Sequence, residues 1–161
     1  MPSPLIVSAS RAVPVPMEDA FERTLTTPLP QLFSRRYGAL PAIKDASGAD
    51  KPWGSEVGQT RTIRTADGGS MRETLLQVDR PHSFSYQIGA IKGPMMALAA
   101  SAEGTWSFEP AGTGTRVTWS WTVRAATAAS GLAMPAFGRM WGGYARQALE
   151  ELETVLVASQ A

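Results

Sequence analysis

Aromatic and polar residues alternate along several runs of this chain, and this alternation constrains the fold more than any other feature. From 117 to 123 every second residue is valine or tryptophan, and the residues between them are threonine or serine. Period-two alternation of this kind is typical of a β-strand with one buried face. The runs Gly104–Glu109 and Ser83–Ile91 alternate in the same way. From Met134 to about Ala158 the apolar residues instead recur at spacings of three and four, which is typical of a long amphipathic helix.

The aromatic residues of these strands and of this helix can face each other. The helix carries Phe137, Trp141 and Tyr144 on one side, and the alternating runs carry a second aromatic row. This is more bulky aromatic surface than strand pairing requires. We therefore predict an α+β fold in which a curved antiparallel β-sheet wraps around a long C-terminal α-helix.

The remaining elements precede the aromatic strands. Leu5–Val13 alternates as a first strand, and helical spacing with proline at the start predicts a short helix over 17–25. A second short helical turn is predicted from Leu29 to about Arg36. Gln59–Thr65 and Ser70–Val78 form a predicted hairpin, because the turn between them contains two glycines that permit positive φ.

Three stretches have weaker patterns. We expect Tyr37–Ile43 to pair as a strand and 46–50 to form a loop. The apolar segment 91–100 contains two methionines and is either a mobile lid over a cavity or an ordinary strand connection. The small residues of 125–134 would allow movement at the start of the long helix.

Length and composition favour one domain over residues 1–161. The chain has 161 residues and is 43% hydrophobic, which suits a core that folds without covalent cross-links. It has no cysteine, so a disulfide framework and a thiolate metal site are excluded. A cytoplasmic location is the expectation.

Charge and hydropathy argue against nucleic acid as a partner and against a signal peptide or a transmembrane segment. The 15 basic and 14 acidic residues are scattered and give a net charge of +1, without the basic stripe that a phosphate backbone requires. We expect no nucleic-acid partner. Residues 1–15 do not resemble a signal peptide, and no stretch reaches the roughly 18 to 20 apolar residues of a transmembrane segment.

The candidate ligand-binding residues are bulky, apolar or aromatic, and lie on the two rows or in the methionine-containing segment. They are Phe84, Tyr86, Met95, Met96, Trp106, Phe108, Trp119, Trp121, Phe137, Trp141 and Tyr144. They line a pocket if the space between sheet and helix is open, since ligand sites are mostly apolar. If that space is filled, they form an ordinary core.

Three residues are candidates for acid–base chemistry. Tyr86 and Tyr144 each bring a hydroxyl into an apolar space, where it needs a partner or a ligand oxygen, unless it reaches solvent. Glu73 and Arg72 are adjacent on a strand, so only one can face inward. An inward Glu73 would have a raised pKa and could act as acid or base, whereas an inward Arg72 could anchor a carboxylate. A solvated position for both is the third alternative.

Metal and nucleophilic chemistry have little support in the sequence. His82 is the only histidine and follows a proline at a turn, so a surface position is expected. No metal-ligand spacing, nucleophile elbow, phosphate loop or dinucleotide motif is present. We expect no metal and no cofactor.

The order of elements resembles the START-like (SRPBCC) superfamily, which includes the birch pollen allergen, and above all its polyketide cyclase/dehydrase-like branch. The resemblance rests on the Val7–Arg11 strand followed by Pro14, Pro16 and 18–21, the Asp79-Arg80-Pro81 turn, the Gly104–Glu109 strand with its Gly-Thr-Gly turn, and the striped terminal helix. It implies a helix-grip fold with a hydrophobic cavity between sheet and helix. Family members bind lipids, sterols, polyketides, plant hormones or other apolar molecules, and a minority catalyse cyclisation, dehydration or hydrolysis.

Three functional hypotheses follow. The leading one is a protein that binds or carries a small hydrophobic or amphipathic ligand, such as a lipid or polyketide, as a monomer or homodimer. The second is a cavity enzyme of the cyclase or dehydratase type that uses Tyr86, Tyr144 or Glu73. The third is a protein-interaction module with an incidental pocket, for which light scattering would give a mass above that of one chain.

Overall fold

One antiparallel sheet in the order β1-β7-β6-β5-β4-β3-β2 dominates the computed structural model, which describes residues 3–160. The strands are β1 (Leu5–Val13), β2 (Ile43–Ser47), β3 (Thr60–Thr65), β4 (Ser70–Asp79), β5 (Ser83–Lys92), β6 (Ala99–Ala111) and β7 (Gly114–Ala125). The helices are α1 (Met17–Thr26), α2 (Leu29–Leu32), α3 (Ala128–Gly131) and α4 (Met134–Ala158), with a 3₁₀ turn at Pro94–Ala97. The predicted α+β helix-grip fold, with two short helices after the first strand, is confirmed.

The sheet buries one face against the helices. Alternation along β7 puts Val117, Trp119, Trp121 and Val123 in the core, and β6 pairs with it so that Trp106 lies opposite Trp119. These two indoles stack with ring centroids 5.2 Å apart. The buried side of α4 packs over this face.

The element boundaries differ most in the weakly patterned region. A strand over Tyr37–Ile43 was predicted, and this is wrong: only Tyr37 and Leu40 form an isolated bridge. The edge strand β2 begins where that prediction ends and runs through part of the predicted loop. Pro41 has no N–H to donate to a ladder, and Gly38 turns the chain at φ 58°, so a continuous strand cannot form here.

The long helix α4 also contacts the edge strand β1. Gly138 lies against this strand, and a Cβ at that position would come within 3.6 Å of the Leu5 side chain and 3.4 Å of Val7. Although α4 has 25 residues, no helix within residues 3–160 combines the length and apolar character needed to cross a bilayer.

Candidate functional site

A cavity lies between the buried face of the sheet and the helices α1, α2 and α4. Its volume is about 70 Å³, and all five tryptophans of the chain line it. Since one water molecule needs a space of roughly 10–15 Å³, the cavity has room for about five of them. Typical sites for drug-sized ligands are larger, roughly 300–1,000 Å³. The cavity as it stands therefore fits a molecule of about one ring.

Most of the predicted site residues surround this cavity. The lining contains Glu73, Phe84, Tyr86, Met95, Trp106, Trp119, Trp121, Trp141 and Tyr144.

Three of the candidate ligand-binding residues lie elsewhere. Phe108 packs on Phe21 of α1 with ring centroids 5.4 Å apart, and Phe137 is buried in the core outside the lining. Met96 is 57% exposed on the 3₁₀ turn, whereas the neighbouring Met95 points inward. Both alternatives for the aromatic rows therefore apply, since some of these residues line the cavity and others form ordinary core.

Tyr86 is the polar centre of the aromatic wall. Its hydroxyl oxygen accepts hydrogen bonds from the Nε1 atoms of Trp119 and Trp121, each 2.8 Å long. The Tyr86 ring crosses the neighbouring strand at Gly104, where a Cβ would lie 2.1 Å from the ring carbon Cζ. Burial, helped by the nearby Glu73 carboxyl, raises the pKa of Tyr86 well above its ordinary value, so the hydroxyl keeps its proton.

Tyr144 has a structural partner. Its hydroxyl donates a 2.7 Å hydrogen bond to the Pro41 carbonyl oxygen, and its ring stacks on Phe33 with centroids 5.2 Å apart. Burial also raises the pKa of Tyr144 far above its ordinary value. The hydroxyl proton is therefore already engaged in a bond between α4 and the loop before β2.

A buried ion pair forms another part of the wall. Alternation on β4 turns Glu73 inward beside Leu75, and the directly paired residue on β3 is Arg61. Arg61 Nε donates to Glu73 Oε1 at 2.5 Å, and the guanidinium lies over the Trp53 ring, 3.9 Å from its centroid. Burial outweighs the attraction of Arg61 and raises the pKa of Glu73.

Arg72 does not take part in the site. It lies on the outward face of β4 and is exposed, so the alternative in which it faces inward to anchor a carboxylate is wrong. The alternative in which both charged groups are solvated is wrong as well, because Glu73 is 4% exposed.

Two buried polar atoms of the lining have no hydrogen-bond partner within the described part of the chain. They are Trp141 Nε1 and Thr24 Oγ1. Leaving a buried donor unpaired costs roughly 1–3 kcal/mol, so an atom of this kind at a cavity wall is a natural contact for a ligand.

Sequence reasoning missed Arg61 and Trp53. Arg61 has a detectable signal, because it shares the inward face of β3 with Ile63 and Thr65, where a charge needs a partner. Trp53 follows the 46–50 stretch in a segment with no periodicity, so no pattern assigns it a direction. The same is true of Leu40 and Pro41, which close the cavity from the loop before β2.

The remaining candidate groups lie outside the site. His82 is largely exposed beside Asp79, in agreement with the predicted surface position. Within residues 3–160 no group of three or more His, Cys, Asp or Glu side chains is arranged to hold a metal ion.

The chain matches a known family over nearly its whole length. The family described as polyketide cyclase / dehydrase and lipid transport matches residues 4–157. A search of curated proteins gives no match.

Solved structures with the same fold cover nearly the whole chain at low identity. The structure of Ara h 8.0201 has 13% identity and a TM-score of 0.67, covering 96% of this chain and 99% of that one. Protein MLL2253 from Mesorhizobium loti has 21% identity and a TM-score of 0.65, with 98% and 99% covered. TTHA0849 from Thermus thermophilus has 20% identity and a TM-score of 0.69, with 98% and 100% covered.

These likenesses agree with the sheet and helices described above, and the family description supports a ligand-binding role. The chain belongs to the polyketide cyclase/dehydrase and lipid transport family of the START-like (SRPBCC) superfamily.

Proposed function

We propose that this protein binds a small hydrophobic or amphipathic molecule in the cavity between the sheet and α4. The observation that carries the proposal is an aromatic cavity lined by two residues whose buried polar atoms, Trp141 Nε1 and Thr24 Oγ1, have no hydrogen-bond partner among residues 3–160. A space needed only for packing would be filled by apolar side chains and would not leave such atoms unpaired.

The size of the cavity limits the affinity of its ligand. The best small ligands gain about 1.5 kcal/mol for each non-hydrogen atom, so six atoms give at most about 9 kcal/mol. That free energy corresponds to a dissociation constant of roughly 0.3 µM. We therefore expect dissociation constants in the micromolar range for one-ring compounds, and longer ligands require the wall to move.

The first experiment is native mass spectrometry of freshly purified protein, compared with its denatured mass and with an organic extract. Because a one-ring ligand of micromolar affinity dissociates during purification, a bare mass is the expected result, and a retained stoichiometric compound would be a larger ligand for which the wall has moved. A titration with one-ring compounds then follows the tryptophan emission, because all five tryptophans surround the proposed site.

A cavity-filling variant provides the matched control. Ile63→Phe adds volume at the lining, and Leu152→Phe makes a similar change in the core outside it. We expect Ile63→Phe to lose binding and a folded Leu152→Phe protein to keep it. Equal binding by both folded variants would place the ligand elsewhere and contradict the proposal.

A second candidate, the cavity enzyme, is favoured by one observation. Glu73 is a buried carboxyl in the same wall as Tyr86, and burial raises the pKa of Glu73, which favours the protonated form that can act as an acid. If the protein is such an enzyme, Glu73→Gln removes turnover of the compound that binds the cavity and leaves its binding within a fewfold of wild type. Turnover that persists in the Gln variant would rule out this role.

A further inference from the structure

Two residues of the cavity lining, Trp141 and Tyr86, have a hydrogen that no acceptor takes up within the described part of the chain. Trp141 Nε1 can only donate, and it is fully buried and unpaired within the described residues. The Tyr86 oxygen accepts two bonds from indole nitrogens, so its own hydrogen is left over for another acceptor. Thr24 Oγ1 can either donate or accept a hydrogen bond. A ligand that pairs with these donors must carry a hydrogen-bond acceptor.

Both donors belong to side chains that contact Trp119. Trp119 donates to the Tyr86 hydroxyl at 2.8 Å, and its ring centroid is 4.7 Å from that of Trp141. One indole therefore links the two side chains that carry the donors. The two indole bonds also withdraw electron density from the Tyr86 oxygen, which makes its hydroxyl a stronger donor.

The buried ion pair disfavours a charged ligand. Arg61 already holds Glu73 at 2.5 Å and is covered by Trp53, so a ligand carboxylate would have to displace Glu73 and leave that carboxyl unpaired. A ligand ammonium would be placed near the Arg61 guanidinium, with the negative charge of Glu73 already compensated. A neutral acceptor needs neither rearrangement.

We propose that the cavity selects a neutral compound of about one ring that carries a carbonyl oxygen, and that Tyr86 donates the hydrogen bond that holds this oxygen. This inference rests on the proposed function and names the ligand class of the same site. The carbonyl is the simplest acceptor of this size that has no donor hydrogen of its own to satisfy.

The test compares cyclohexanone with methylenecyclohexane, which has a methylene group in place of the carbonyl oxygen. Calorimetry measures both affinities for wild type, Tyr86→Phe and the control Thr118→Val, which removes a hydroxyl from the outward face of β7, outside the lining. We expect Tyr86→Phe to weaken cyclohexanone about fivefold more than it weakens methylenecyclohexane, the usual effect of one hydrogen bond. Thr118→Val should leave both affinities unchanged. Comparing variants cancels the different hydration of the two compounds.

Infrared spectroscopy provides a second readout that does not depend on the variant. Cyclohexanone labelled with ¹³C at its carbonyl should show, when bound to wild type, a carbonyl stretch below its value in hexane. A readout from wild type is needed because Tyr86→Phe also frees the indole N–H groups of Trp119 and Trp121, which can then donate to the carbonyl in place of Tyr86. An unshifted stretch in wild type would overturn the inference whatever the variant does.

The remaining outcomes separate this inference from the proposed function. If neither compound binds wild type, the proposed site for one-ring ligands fails. If methylenecyclohexane binds, the Tyr86 effect is equal for the two compounds and the carbonyl stretch in wild type is unshifted, the site stands and the carbonyl preference is wrong. Tighter binding of cyclohexanecarboxylate or cyclohexylammonium than of cyclohexanone would likewise overturn the preference for a neutral ligand.

Discussion

Gly104 determines where the Tyr86 hydroxyl lies. The tyrosine ring crosses the β6 backbone where this residue has no side chain, and this path brings the oxygen to two indole nitrogens on β7. A glycine within a strand often marks such a close approach. The polar centre of the wall thus depends on a residue that has no functional group.

Gly104→Ala should displace this ring. The new Cβ would lie 2.1 Å from Tyr86 Cζ, so the hydroxyl must leave both indoles. Two lost hydrogen bonds predict a decrease in the free energy of unfolding of about 2 kcal/mol or more. Gly89→Ala on β5 is the control, because a Cβ there meets nothing within 4 Å. Denaturant unfolding of both variants checks the difference, and equal stability would contradict the account.

At the scale of elements, the segment 37–41 is attached to α4 by three contacts. Tyr144 donates to the Pro41 carbonyl at 2.7 Å, and the Ala39 N–H donates to Met140 Sδ at 3.1 Å. The Tyr37 ring lies on Gly143, where a Cβ would be 2.0 Å from it. Because Leu40 and Pro41 line the cavity, these contacts hold one of its walls in place.

Two adjacent glycines of α4 test this attachment. Gly142→Ala should raise stability by up to about 1 kcal/mol, since alanine is the better helix former and a Cβ there meets nothing within 4 Å. Gly143→Ala has the same helical gain but pushes Tyr37 off the helix. We expect faster hydrogen exchange at 37–41 in Gly143→Ala alone. Equal exchange in both variants would show that the Tyr37 contact does not hold the segment.

For the whole molecule, the buried carboxyl of Glu73 links stability to pH. Burial raises its pKa above the ordinary 4.5, so folding favours the protonated form. This contribution is complete below pH 4.5 and is lost as the pH rises through the pKa of the folded state. Each unit of the shift is worth about 1.4 kcal/mol.

Glu73→Gln replaces this group with a neutral one of similar shape. The stability of the variant relative to wild type should therefore increase as the pH rises from 4 to 8. Urea unfolding at several pH values measures this difference. A change in the opposite direction would mean that Arg61 outweighs burial and that the pKa of Glu73 is lowered.

The sequence predicted the fold and most of the wall because both depend on alternation. Period two fixes which face of a strand holds Phe84, Tyr86 or Trp119, and period 3.6 does the same for Trp141. Alternation cannot distinguish Trp106, which lines the cavity, from Phe108, which Phe21 of α1 covers. Which of two inward residues faces the cavity depends on where another element packs. Nor can alternation give the cavity volume, which is the small difference between the enclosed space and the side chains that fill it.

The order of strands in the sheet has a consequence for how the chain folds. Strands β2 to β7 pair with neighbours in sequence, but β1 pairs only with β7, so that Leu5 lies opposite Val123. Pairings between distant residues form late, because a long loop must close before any contact repays its entropy. During synthesis the first strand to leave the ribosome therefore has no partner until the last strand emerges. We expect the first strand to join the sheet last.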